Sequence, residues 1–78
     1  MNRGLYYHNG LLMNIILNNQ SDEIRDGITI RELLDHKKIH TKYIAVEINQ
    51  KIIPRSKYNQ HELKEGDKIE IITAIGGG

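Results

Sequence analysis

The apolar-rich run Met13–Leu17 (MNIIL) has a strand-like pattern. The run stops at Asn18-Asn19, a pair that accepts positive φ and suits a tight hairpin turn. A polar return strand over Gln20–Arg25 fits a sheet edge and ends at the turn dipeptide Asp26-Gly27. The period then changes. Thr29-Ile30-Arg31-Glu32 is a capping box: the Thr29 hydroxyl accepts from the Glu32 amide, and the Glu32 carboxylate accepts from the Thr29 amide. Ile30, Leu33 and Leu34 follow at helical spacing on one face, and His36, Lys37 and Lys38 supply the basic side chains that a helix's carbonyl end favours. A helix of about two to three turns is too short to stand alone and predicts a sheet to pack on.

Beyond the helix, Tyr43–Ile48 reads as a buried strand and Asn49-Gln50 as a turn. Lys51–Arg55 is its partner strand, which Pro54 ends or confines to an edge. Ser56–Leu63 is a polar connection with room for one irregular turn, and Glu65-Gly66-Asp67 is a tight turn. Lys68–Ile75 (KIEIITAI) alternates and then stays apolar, as a half-buried last strand would. Two hairpins separated by a helix, with a last strand able to lie between the first and the third, predict an α+β fold of the β-grasp kind. That is a mixed sheet of about four to five strands with one helix packed across it. Residues 1–12 (MNRGLYYHNGLL) lack a clear period and read as a loose extension, an extra edge strand being the alternative. The domain then spans 13–75, and 76–78 form a glycine tail.

A chain of 78 residues fits one domain. Its 14 Ile and 7 Leu, against one Val and neither Phe nor Trp, require an aliphatic core. A net charge of +1 lacks the basic footprint of a nucleic-acid binder. The absence of cysteine excludes disulfides, thiolate metal ligands and a thiol nucleophile. No run approaches the roughly 20 apolar residues of a membrane span. Tyr6-Tyr7-His8-Asn9-Gly10 interrupts the apolar residues that a secretory signal would need. The expectation is a cytoplasmic domain with neither membrane nor nucleic acid as its partner.

Motifs of enzymatic chemistry are missing: no nucleophile elbow, no phosphate-cradling glycine loop, no metalloprotease helix. His36 and His40 would share a face only on a continuous helix, and no third ligand follows at metal spacing, so no metal is expected. His8 and His61 stand alone in polar segments. Asp22, Glu23 and Asp26 read as a solvated acidic face, since a general acid needs a pocket to raise its pKa. No catalytic residue is assigned.

The C-terminal Ile75-Gly76-Gly77-Gly78 remains. It reads either as a frayed end or as a working arm. In the second reading the glycines project from a rigid strand by at most about 10 Å. Without Cβ atoms they thread a narrow channel and carry the Gly78 carboxylate to another protein's nucleotide. A carboxylate is a poor electrophile; an acyl-adenylate gives it a leaving group that sulfur or an amine can displace.

From Met13 to Gly78 the chain resembles the ThiS family, the β-grasp sulfur carriers of bacterial thiamine biosynthesis. The residues that carry the resemblance are MNIILNNQ, ITIRELL, YIAVEINQKIIPRSKY and LKEGDKIEIITAIGGG, in that order. The resemblance implies a carrier without catalytic activity or bound cofactor. A ThiF-like adenylating enzyme would spend ATP, with Mg, on the Gly78 carboxylate. A sulfur-donor protein would convert it to a thiocarboxylate, and a ThiG-like thiazole synthase would take the sulfur. On this reading Gly78 is the modified residue and Gly76 with Gly77 the threading tail. The chain departs from the family pattern in its extension over 1–12 and in Asn49-Gln50, where Asn-Gly is common. Alternation on the last strand, with Ile69, Ile71 and Thr73 toward the helix, leaves Ile72 and Ala74 on the other face as candidate docking residues. Arg55 is a candidate electrostatic contact. Two other readings share the fold: the small subunit of molybdopterin synthase, whose proline-rich approach to the glycines is missing in TAIGGG, and a ubiquitin-like modifier or plain binding module.

Overall fold

The computed structural model of the chain describes residues 11–73 and builds five strands and one helix. In chain order these are β1 (Leu12–Leu17), β2 (Gln20–Arg25), α1 (Ile30–His36), β3 (Ile44–Ile48), β4 (Lys51–Ile53) and β5 (Lys68–Thr73). The sheet order is β2-β1-β5-β3-β4. The β1–β2, β3–β4 and β3–β5 pairs are antiparallel, and β1–β5 is parallel. This is the β-grasp arrangement, with the last strand between the two hairpins as expected.

Local chemistry accounts for each boundary. Asn18 and Asn19 take φ of 49° and 69°, and Asn49 and Gln50 take 53° and 72°. Both hairpins therefore close through two consecutive left-handed residues, whose twist matches that of the strands. The capping box forms as predicted: Glu32 N donates to Thr29 Oγ1 at 3.1 Å, and Thr29 N donates to Glu32 Oε1 at 2.9 Å. At the other end Lys38 adopts φ 60° and lets Ile39 N donate to Leu34 O and Lys38 N to Asp35 O. That is a Schellman stop, with lysine at the position glycine usually takes. Lys37 Nζ lies 2.6 Å from Asp22 Oδ2 and ties this end to the edge strand β2.

The core lies between one sheet face and α1, and is aliphatic as the composition required. Met13, Ile15, Ile24, Val46, Ile48 and Ile69 meet Ile30, Leu33 and Leu34. Several boundaries differ from those read in the sequence. The first strand begins at Leu12, one residue early. Tyr43 is not on a buried strand but ends a 3-10 turn over Thr41–Tyr43, 57% exposed. Pro54 stops β4 at Ile53, so Arg55 opens a 3-10 turn over Arg55–Lys57 rather than ending a strand.

The stretch 56–63 is more than a polar connection. Tyr58 and Leu63 are buried in the core, and Ile30 N and Arg31 N, at the start of α1, donate to His61 O and Tyr58 O. The loop thus satisfies two amide groups that a helix start leaves open. Burial raises the Tyr58 hydroxyl pKa, opposed by the Arg55 charge and a hydrogen bond with the Val46 main chain. Among the described residues no helix is long and apolar enough to cross a membrane.

Candidate functional site: the base of the glycine tail

Gly76, Gly77 and Gly78, together with Ala74, lie outside the described residues, so the site is described from its base, the end of β5. β5 lies between β1 and β3 and is held at its start from both sides. Asn49 N donates to Lys68 O at 2.8 Å, and Asn49 Oδ1 accepts from Lys68 N at 3.0 Å. Asn49 Nδ2 donates in turn to Asp67 Oδ1, whose second oxygen accepts from Lys64 N. These bonds fix the turn that feeds β5. On the opposite side Asn18 N donates to Ile69 O, and Asn18 Oδ1 accepts from Ile71 N, both at 2.8 Å. Each hairpin therefore contributes one asparagine, already held left-handed by its turn, to grip the central strand.

The predicted alternation holds where it can be followed. Ile69 is buried and Ile71 packs at the margin of the core, while Thr73 is exposed because β5 has run past the helix by then. Ile72 faces away from α1, 48% exposed, opposite Ala45 on β3. The same open face carries Ile16 and Ile52, and its centre holds Glu47 directly across from Glu70.

Arg55 reaches the tail end of the sheet by an indirect route. Its Nη2 donates at 3.1 Å to the carbonyl of Lys42, two residues before Ile44, the partner of Thr73. Lys42 Nζ stands 5.2 Å from the Tyr43 ring centroid. Arg55, Lys42 and Tyr43 therefore lie together next to the Ile44–Thr73 pair, one step along the sheet from Ile72 and Ala45.

Other candidate chemistry does not assemble. The helix ends at His36 and Lys38 turns left-handed, so His36 and His40 share no continuous helical face. Among the described residues no three His, Cys, Asp or Glu side chains group as metal ligands. Asp22 pairs with Lys37 while Glu23, next along the strand, points to the other face, so the acidic run is divided by the pleat. The lowered Glu32 carboxyl pKa belongs to the capping box: the Thr29 amide hydrogen bond is its largest cause, opposed by desolvation and aided by Arg25. An open groove between β2 and α1 is lined by Leu12, Ile24, Arg25 and His36 among others.

Residues 9–78, which end in three glycines, match the model of a known family, that of ThiS. The chain belongs to the ThiS family. Members are sulfur carriers, themselves non-catalytic. The chain is 36% identical over 66 residues to the sulfur carrier protein ThiS of Escherichia coli, covering 85% of this chain and 100% of that one. It is 35% identical over 66 residues to a thiazole synthase of Paramagnetospirillum magneticum, but spans only 20% of that protein's length. The crystal structure of the thiamine biosynthesis protein ThiS from Geobacter metallireducens superposes with a TM-score of 0.75 at 28% identity, covering 85% of this chain and 100% of that one.

The fit to ThiS over strands and helix was foreseen from four sequence segments. What the sequence reading missed are the two asparagine clamps. Their signal was present, since each asparagine sits at the first turn position of a hairpin beside the strand it grips.

Proposed function

We propose that the chain carries sulfur in thiamine biosynthesis on its C-terminal Gly78 carboxylate. Attack of that carboxylate on ATP, within a ThiF-like enzyme that supplies the Mg, gives an acyl-adenylate and releases pyrophosphate. A donor protein's persulfide sulfur displaces AMP. A thiol then cleaves the resulting acyl disulfide, leaving a thiocarboxylate on Gly78 and a disulfide on the thiol side. A ThiG-like thiazole synthase takes up that sulfur to build the thiazole ring. Gly76 and Gly77 thread the enzymes' channels, with Ile72, Ala74 and Arg55 against the partner surface. The chain binds no cofactor of its own and works in the cytoplasm.

The observation that carries this reading is a central strand, β5, whose sequence continues past Thr73 to three terminal glycines, in a chain of this family. The thiazole synthase that contains a carrier-like portion supports the choice of sulfur acceptor. The test is intact-mass spectrometry after incubation with ATP, the ThiF-like enzyme of the same organism and a sulfur donor. Replacement of one oxygen by sulfur at Gly78 is expected, and it should vanish on deletion of Gly77 and Gly78 with the fold retained. Sulfur transfer that survives the deletion would refute the assignment.

A further inference from the structure

We infer that the outer edge of β5 beyond Ile69 receives an extended main-chain segment of the adenylating enzyme, added there as a strand; the inference rests on the carrier reading above. On its β3 side β5 is paired from Ile69 to Thr73. On its β1 side the register reaches only Leu17 opposite Ile69. Asn18 continues the ladder by one step, through its amide to Ile69 O and its side-chain oxygen to Ile71 N. Main-chain groups alternate sides along a strand. The Ile71 carbonyl and the Thr73 amide therefore point to the side that β1 has vacated, and among the described residues neither has a partner.

Ile72 and Thr73 are exposed, so water can serve these two groups in the free protein. An enzyme that takes Gly78 changes this. Five residues separate Thr73 from the carboxylate, and fully extended they reach at most about 18 Å. A nucleotide held inside an enzyme therefore brings the wall of its site against Thr73. A main-chain donor or acceptor dried without a partner is costly. The Asn18-Asn19 turn leaves a lane in line with β1, and a strand in that lane offers both a donor and an acceptor at ladder spacing. The opposite lane is occupied by β3. The edge thus selects an extended segment that enters from beyond the turn and runs toward the tail.

Amide hydrogen exchange read by NMR, on the free chain and on its complex with the ThiF-like enzyme without ATP, tests this. The Thr73 amide should exchange fast in the free chain and at least about tenfold slower in the complex. Thr73→Pro removes that one donor and spares the β3 ladder, because Thr73 and Ile44 form a non-hydrogen-bonded pair. It should weaken binding roughly three- to tenfold, the worth of one hydrogen bond. If the proline variant fails to fold, an ester replacing the Ile72–Thr73 amide by semisynthesis deletes the same donor and should give the same shift. A Thr73 amide already protected in the free chain, by its own N-terminal residues or by a second copy, would overturn the inference. So would an amide equally fast in the complex, or a folded variant that binds like the wild type. Failure of the unaltered chain to be modified at Gly78 would instead overturn the carrier reading.

Discussion

Asn18 and Ile71, 53 residues apart in sequence, meet through a 2.8 Å hydrogen bond from the Ile71 amide to the Asn18 carboxamide. β1 has ended by that point, so a side chain supplies the acceptor that a further strand residue would have given. Asn18→Gly keeps the left-handed backbone and removes only this acceptor. It should cost about 0.5–1.5 kcal/mol, which for a domain of this size lowers the thermal midpoint by several degrees. Asn18→Ala should cost more, because alanine also resists φ of 49°. Calorimetry on the two variants separates the hydrogen bond from the backbone term.

Gln50 and Lys38 hold φ of 72° and 60° without the usual glycine. Gln50→Gly and Lys38→Gly should each stabilise the fold by up to about 1 kcal/mol, relief of strain exceeding the extra freedom glycine gives the unfolded chain. Urea unfolding should show a higher midpoint with an unchanged slope. A lower midpoint in both would mean that the left-handed residues carry no strain here.

Glu32 is held more acidic than an ordinary glutamate, chiefly by the Thr29 amide. A carboxyl whose folded pKa is depressed contributes stability that is complete above its unfolded pKa and lost as pH falls through its folded pKa. The loss should therefore begin near the ordinary glutamate range, about pH 4.3, and continue below it. Glu32→Gln keeps a side-chain acceptor but does not titrate. Thermal midpoints measured from neutral pH to pH 3 should fall less steeply in that variant than in the wild type.

Ile72 is exposed on the open face beside the tail. Ile72→Thr keeps the β-branched shape and removes apolar surface. Stability should change little, while affinity for the ThiF-like enzyme should fall about five- to tenfold if the side chain is buried on docking. Isothermal titration against that enzyme reads the second effect and thermal unfolding the first.

Leu34 is wholly buried where α1 meets the sheet. Leu34→Ala should cost about 2–5 kcal/mol, enough to unfold much of so small a domain at 37 °C. Circular dichroism over temperature checks this. The same substitution would abolish sulfur transfer for a reason unrelated to the tail, so it serves as the control for the tail deletion.

Most of the framework was legible because it depends on local rules. Asn18-Asn19, Thr29 with Glu32, and the alternation of β5 each act over a few residues, and all three formed as the sequence predicted. The errors fell where distant packing decides. Tyr58 and Leu63 sit in a polar stretch whose periodicity is weak, and they are held in place by main-chain bonds, Tyr58 to Arg31 in α1 and Leu63 to Ile28 just before it. Tyr43 continues an apolar run in sequence, yet it lies past the edge of the core. At the site, Ile72 could be placed by counting from Ile69, whereas Arg55 could not. Its link to Lys42 joins two 3-10 turns that no sequence spacing relates.

The position of β5 between β1 and β3 has a mechanical consequence. An enzyme that draws the glycines into a channel pulls along the axis of β5, and that strand is hydrogen-bonded on both sides. The load is spread as shear over many bonds at once, where an edge strand would be peeled away one bond at a time. On the carrier reading, a pull on the tail would therefore meet more resistance than the same pull on an edge strand.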